Sequence, residues 1–264
     1  MKALITFLFL FLTSTFLAQT LTISSTGQTG TSGSNWSVSG TNPVTVTATG
    51  AADINTSVIE GYLNAGTSVF LETSSSVIFV NLTGSITKSS GSSVSFTIKS
   101  GGRIVINQPI TATVGSLDLV LWSDWDNDNN DGGVSIAGSI NTNNGHFWAG
   151  GSTTNNGSYI WNGLIVGNGP SIGSNGSNWN ALDIYSDVLT GSGDFLAWAG
   201  NGYSSGISGI GTDGILHTVG GGSGDVIVIA NEVLGPTSGG QAINFVTTGH
   251  FYLTPFNSAF NSNS

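Results

Sequence analysis

Alternation is the main pattern along this chain. Leu117, Leu119 and Leu121 recur at every second position and Trp122 closes the run, which predicts a short strand with one apolar face. The stretch that holds it, Gly115 to Gly133, reads GSLDLVLWSDWDNDNNDGG. The strand therefore breaks into an acidic, Asn-rich loop and ends on two glycines that permit φ > 0. The same grammar of glycine, polar residue and short apolar or aromatic run returns at 145–151 (GHFWAGG), 193–202 (GDFLAWAGNG), 224–232 (GDVIVIANE) and 249–253 (GHFYL). Short strands repeated between small polar turns predict a solenoid.

The remaining pattern agrees with this. Residues 20–60 read as short strands rich in Thr and Val. Val44, Val46 and Ala48 would point to one face and Thr45, Thr47 and Thr49 to the other, and this segment is expected to cap the open end of the stack. Val58 to Leu63 is the one place after the N-terminus where a helical turn competes. Strand signals follow at 69–71, 77–80, 94–98, 103–107 (ended by Pro109), 110–114 and 134–136. Residues 152–180, rich in Gly, Ser and Asn, read as a longer loop bulging from the stack. No Pro-rich or charged linker divides the chain, so one domain is expected. Its end near Phe256–Phe260 has no closing element. Because an open solenoid end exposes apolar cross-section, the chain is expected to be the N-terminal part of a longer protein.

Composition sharpens the class. Of 264 residues 40 are Gly and only 7% are charged, with 38% hydrophobic and 9% aromatic. That balance is unlike a disordered chain, and the scarcity of helical periods makes the expectation all-β. There is no Cys, so neither a disulfide nor a thiolate metal site is available. Met1-Lys2, an apolar stretch from Ala3 to Phe16 and Leu17-Ala18-Gln19 have the layout of a signal peptide, residues 1–18, cleaved after Ala18. The apolar run is shorter than a spanning helix needs, so no stable membrane insertion is expected after cleavage. The remaining chain, 19–264, has three basic residues against 14 acidic ones, which disfavours nucleic acid.

The runs WSVSGTNPVTVTATG, SVIEGYLNAGTSV and GSITKSSG, followed by LDLVLWSDWD, GHFWAGG and INFVTTGHFYLTPFNSAF, resemble large secreted surface proteins of Bacteroidota that carry filamentous-haemagglutinin-like β-strand repeats. The resemblance covers nearly all of 19–264. It implies a right-handed parallel β-helix with a looped insertion, export by the general pathway and often type IX passage to the outer cell surface. It also implies a role in adhesion or gliding. The partners it implies are the secretion machinery and surface glycans or host and environmental surfaces. The type IX sorting domain that normally ends such proteins is not seen here.

Candidate chemistry is sparse. Asp124, Asp126, Asp128 and Asp131 place hard oxygen ligands at near-alternate positions, as Ca²⁺ prefers. The EF-hand spacing fails, and Asp and Asn also favour plain turns, so the loop reads as a turn or as a structural Ca²⁺ clip; no other cofactor is expected. Asp183, Asp187, Asp194, Asp213 and Asp225 could supply a glycosidase pair, or else occupy rung corners. A lyase would need a basic residue, and only Lys88, Lys99 and Arg103 are available. His146 and His250 share a Gly-His-aromatic pattern, which favours a repeated structural position over a metal pair, and His217 stands apart. Neither G-x-S-x-G nor H-E-x-x-H occurs. Trp122, Phe147, Trp148, Tyr159, Trp161, Trp179 and Trp198 are expected in the core or stacked between rungs, with Trp125 outside in the acidic loop. The resulting expectation is a non-enzymatic exported adhesion stalk. The alternatives are a carbohydrate-active β-helix enzyme with an acidic pair, or a stand-alone sugar- or ice-binding domain, the last resting on threonine rows such as Thr45, Thr47 and Thr49.

Overall fold

The computed structural model describes residues 19–128, 132–173, 181–200, 206–208, 217–230, 232–234 and 243–255. They form a β-solenoid of about seven turns, all-β apart from one short helix. Residues 1–18, on which the signal-peptide expectation falls, lie outside the described residues. A typical turn gives one strand to each of three sheets, of ten, eight and six strands, in which successive turns pair in parallel. One such turn runs through Val94–Lys99, Arg103–Ile106 and Ile110–Ala112 before Leu117–Trp122 opens the next.

Register explains why the alternation works. Phe96 lies beside Leu119, Leu119 beside Phe147, Phe147 beside Phe195 and Phe195 beside Val226, so one inward row of the ten-stranded sheet is built from like residues on successive turns. All five are fully buried, and the rings of Phe147 and Phe195 stack at 5.0 Å and 5°. No single turn could bury its apolar face alone; stacking makes the rows continuous.

The N-terminal end is closed by elements that only partly match expectation. The helix Thr56–Asn64 forms where a helical turn competed, with Asn55 as N-cap accepting the Ser57 N–H. It buries Val58, Ile59 and Leu63 and packs beside Ile86–Lys88, covering the first edge of the six-stranded sheet. Val44–Ala48 shows the expected alternating burial, yet it is not the outermost element. Trp36–Gly40 pairs antiparallel with it, and Ser32–Gly33 pairs antiparallel with that strand in turn. The antiparallel reversal ends the ladder that a bare parallel edge would offer to another chain. Gln19–Ser24 does not stack at the end at all. It is slotted between Ala52–Asn55 and Val77–Leu82, parallel to both.

The described part of the bulging loop contains regular structure. Ser158–Trp161 and Leu164–Gly167 form an antiparallel hairpin turned by Asn162-Gly163, both at positive φ (48° and 79°), the geometry that favours Asn-Gly in two-residue turns. Tyr159, Trp161, Leu164 and Val166 face the outer side of the ten-stranded sheet, where they meet Val120, Trp122, Trp148, Leu196 and Trp198 in a second apolar cluster. Of the aromatics expected in the core or stacked between rungs, Phe147 fills the core and Trp148 stacks between Val120 and Leu196 of the neighbouring turns, but Trp122, Trp148, Tyr159, Trp161 and Trp198 all lie outside the core under the hairpin. Outward-pointing aromatics on a parallel sheet need a cover, and the hairpin supplies it. Trp179 lies outside the described residues.

Candidate functional site

Both long excursions leave the same corner, between the ten- and eight-stranded sheets. One turn earlier that corner is only Ser100–Gly102; at the next it is the acidic loop 123–133, and at the next the hairpin segment 151–181. The two excursions are laced together. Ser123 Oγ and Ser171 Oγ lie 2.7 Å apart, Trp122 Nε1 donates to Ser152 Oγ at 2.7 Å, and the Asn156 amide donates to the Trp125 carbonyl at 2.8 Å.

Asp124 and Asn127 both adopt positive φ (49° and 53°), which short polar side chains tolerate, and this tight winding brings the carboxylates together. Oxygens of Asp124, Asp126 and Asp128 all lie within 4.8 Å of one another. Asp124 is fully buried, Asp126 partly buried and Asp128 exposed. Asp131 lies outside the described residues. Asp126 Oδ1 is buried without a hydrogen-bond partner among the described residues. Burial first, and the neighbouring Asp128 second, push its carboxyl up to about 6 against the lowering effect of nearby backbone amides. Three converging carboxylates with a buried oxygen are a donor set that a hard cation such as Ca²⁺ could use, with carbonyls or water completing six to eight ligands.

An acid that is harder to ionise folded than unfolded costs stability above its folded value, and the cost is relieved as pH falls from about 6 toward the ordinary 3.8. Asp126→Asn in metal-free buffer is therefore expected to raise the unfolding midpoint at pH 7.5 and to leave it unchanged near pH 4. Thermal unfolding at the two pH values reads this directly. Adding Ca²⁺ decides the loop's role: stabilisation of the parent chain that the Asn variant lacks assigns a cation, and no stabilisation leaves a turn.

Trp125 lies outside the solenoid core, as expected, and packs against the second apolar cluster. It folds back, half-buried, with Nε1 donating to the Thr73 carbonyl at 3.1 Å. Lys99 draws it in. The Lys99 ammonium lies 4.6 Å from the Trp125 ring centroid, 5.0 Å from that of Trp122 and 6.0 Å from that of Phe70. It also donates to Glu72 at 2.5 Å and Asn156 at 2.7 Å. The other two cations are equally buried. Lys88 donates to the carbonyls of Ser90, Gly91 and Val114, and Arg103 faces Asp183 at 3.5 Å.

Of the carboxylates that could serve hydrolysis, Asp194 and Asp225 stand on adjacent turns of one row, Asp183 faces Arg103, and each of these is structurally engaged. Along one corner, the His146 amide donates to Asp118, the Asp194 amide to His146 Nδ1, the Asp225 amide to Asp194 and the His250 amide to Asp225, at 2.8–3.0 Å. This polar ladder is the repeated position that the Gly-His pattern suggested. His146 Nδ1 accepts, so its ring carries its proton on Nε2. The hairpin turn joins the ladder, with Asn162 Nδ2 donating to Asp194 at 2.7 Å. The amide and ring of His250 hold the Asp225 carboxyl below its ordinary range. Asp187 accepts the Thr218 amide at 2.7 Å, and Asp213 lies outside the described residues. His217 is buried at the start of His217–Gly222, its Nδ1 3.8 Å from Asp187.

Comparison with protein-family models, curated proteins and solved structures gave no match to this chain. No helix among the described residues is long and apolar enough to cross a membrane.

Proposed function

We propose that this chain is a non-enzymatic, exported cell-surface module, a β-helical stalk of an adhesin of the kind its sequence resembles. The observation that carries this reading is the polar ladder. Four side chains capable of acid–base chemistry, Asp118, His146, Asp194 and Asp225, each accept the backbone amide of the next turn. Groups held this way stiffen a rod. The burial of Lys88, Lys99 and Arg103 also supports the reading, because a lyase needs a base that substrate can reach. What remains outward is acidic or neutral, which keeps neighbouring stalks apart. The N-terminal 18 residues supply the export signal in this proposal.

Antibody raised against residues 19–264 tests it in the producing organism. Staining of intact, unpermeabilised cells and a band in the surface or medium fraction are expected. A band confined to the cytosol would overturn the proposal. So would polysaccharide cleavage by the purified chain that Asp194→Asn abolishes, which would favour the carbohydrate-active alternative.

A further inference from the structure

On the ten-stranded sheet, between the hairpin and the N-terminal cap, lies a part of the outer face that the loop corner does not use. Thr45, Phe70 and Thr97 stand side by side in register on its outward row. The hairpin tip leans over them and closes a groove of about 190 Å³, lined chiefly by Phe70, Ser95, Thr97, Leu164 and Ile165, with Pro43 at one end.

We propose that this groove binds one ring of a neutral glycan chain. Its size sets the first limit. It is smaller than the roughly 300 Å³ at which ordinary small-molecule pockets begin, so it takes a single ring while the rest of the ligand lies outside. Its lining is two-faced in the way a sugar is. The half-buried Phe70 and the side chains of Leu164 and Ile165 offer apolar surface to C–H faces. The Ser95 and Thr97 hydroxyls, which make no hydrogen bond within the described residues, offer donors and acceptors from the floor. Charge removes the acidic sugars: Lys99, the cation nearest the groove, is held by Glu72, and the remaining two are buried elsewhere. A purely apolar peptide would leave both hydroxyls dry and unpaired on binding, a cost that a sugar avoids.

The inference goes beyond the surface role and does not need it, since binding is a property of the purified chain and location a property of the cell. Native affinity gels with soluble β-glucan, xylan, galactomannan and α-glucan, and with alginate and heparin as anionic controls, provide the test. At least one neutral polysaccharide should retard the protein, and neither anionic one should. Calorimetry with that polysaccharide should show Phe70→Ala and Thr97→Val each weakening binding at least tenfold, with Thr97→Val keeping the parent's unfolding midpoint. Tyr252→Ala, on the same face beyond the hairpin, should bind as the parent does. No retardation by any neutral glycan, a preference for the anionic ones, or wild-type binding by both groove variants would overturn the proposal.

Discussion

Replacing Gly193 with alanine is expected to break the stack between two turns. The added Cβ would lie 2.0 Å from the Gly145 carbonyl oxygen, and backbone cannot move aside as a side chain can. The same contact recurs one turn on, where a Cβ at Gly224 would meet the Gly193 oxygen at 2.0 Å, and one turn back, where Gly145 faces the Leu117 oxygen at 2.3 Å. These glycines are the first letters of the repeated Gly-Asp and Gly-His pairs, and they let adjacent turns approach closely enough for the polar ladder to form. Relieving such a clash means shifting a whole turn, at a cost upward of about 3 kcal/mol. Urea unfolding should show a much lower midpoint, with the loss centred on this turn because solenoid turns touch only their neighbours. Gly61→Ala is the control. Nothing lies within 4 Å of its added Cβ, in a helix interior, so a gain of about 0.5–1 kcal/mol is expected. Equal midpoints for the parent and Gly193→Ala would show that the turns are not held in this register.

Trp148→Ala should release the hairpin without unravelling the solenoid. Trp148 is fully buried although it points away from the core, and its cluster joins Val120, Trp122 and Leu196 on the sheet to Val166 on the hairpin. Its Nε1 also approaches the Tyr159 hydroxyl at 3.4 Å. Truncating a buried tryptophan costs about 3–5 kcal/mol, and here the loss falls on an appended layer. Hydrogen exchange should show the amides of 158–167 losing protection while those of 94–98 keep theirs. Unchanged protection in the hairpin would mean that it is held by its Asn162 and Ser152 hydrogen bonds instead.

Strand periodicity was the most legible feature of the sequence, because inward and outward positions in a stacked strand differ by one residue and the letters show it. The ladder was also legible as Gly-Asp and Gly-His pairs, though its hydrogen bonds were not. The hairpin is masked in the sequence although its signal is there: Asn162-Gly163 sits between SYIW and LIVG, but the surrounding Gly, Ser and Asn give the whole segment the look of a loop. The way Trp125 folds back is hidden for a different reason. Its position is set by Lys99 and Thr73 on earlier turns, and lateral neighbours in a solenoid are far apart in sequence. In the acidic loop the spacing of Asp124, Asp126 and Asp128 pointed to convergence. Their graded burial depends on the loop folding over Gly101 and Gly102, which spacing does not reveal.

The slot occupied by Gln19–Ser24 gives the molecule an order of assembly. That strand has hydrogen-bonding partners on both edges only once Ala52–Asn55 and Val77–Leu82 are both in place. The first turns must therefore close together, over a long stretch of chain and at a large cost in loop entropy. Later turns carry no such debt. Each can dock on a finished edge as it emerges, so the N-terminal end is a template and the chain acquires its rigidity in the direction in which it is made.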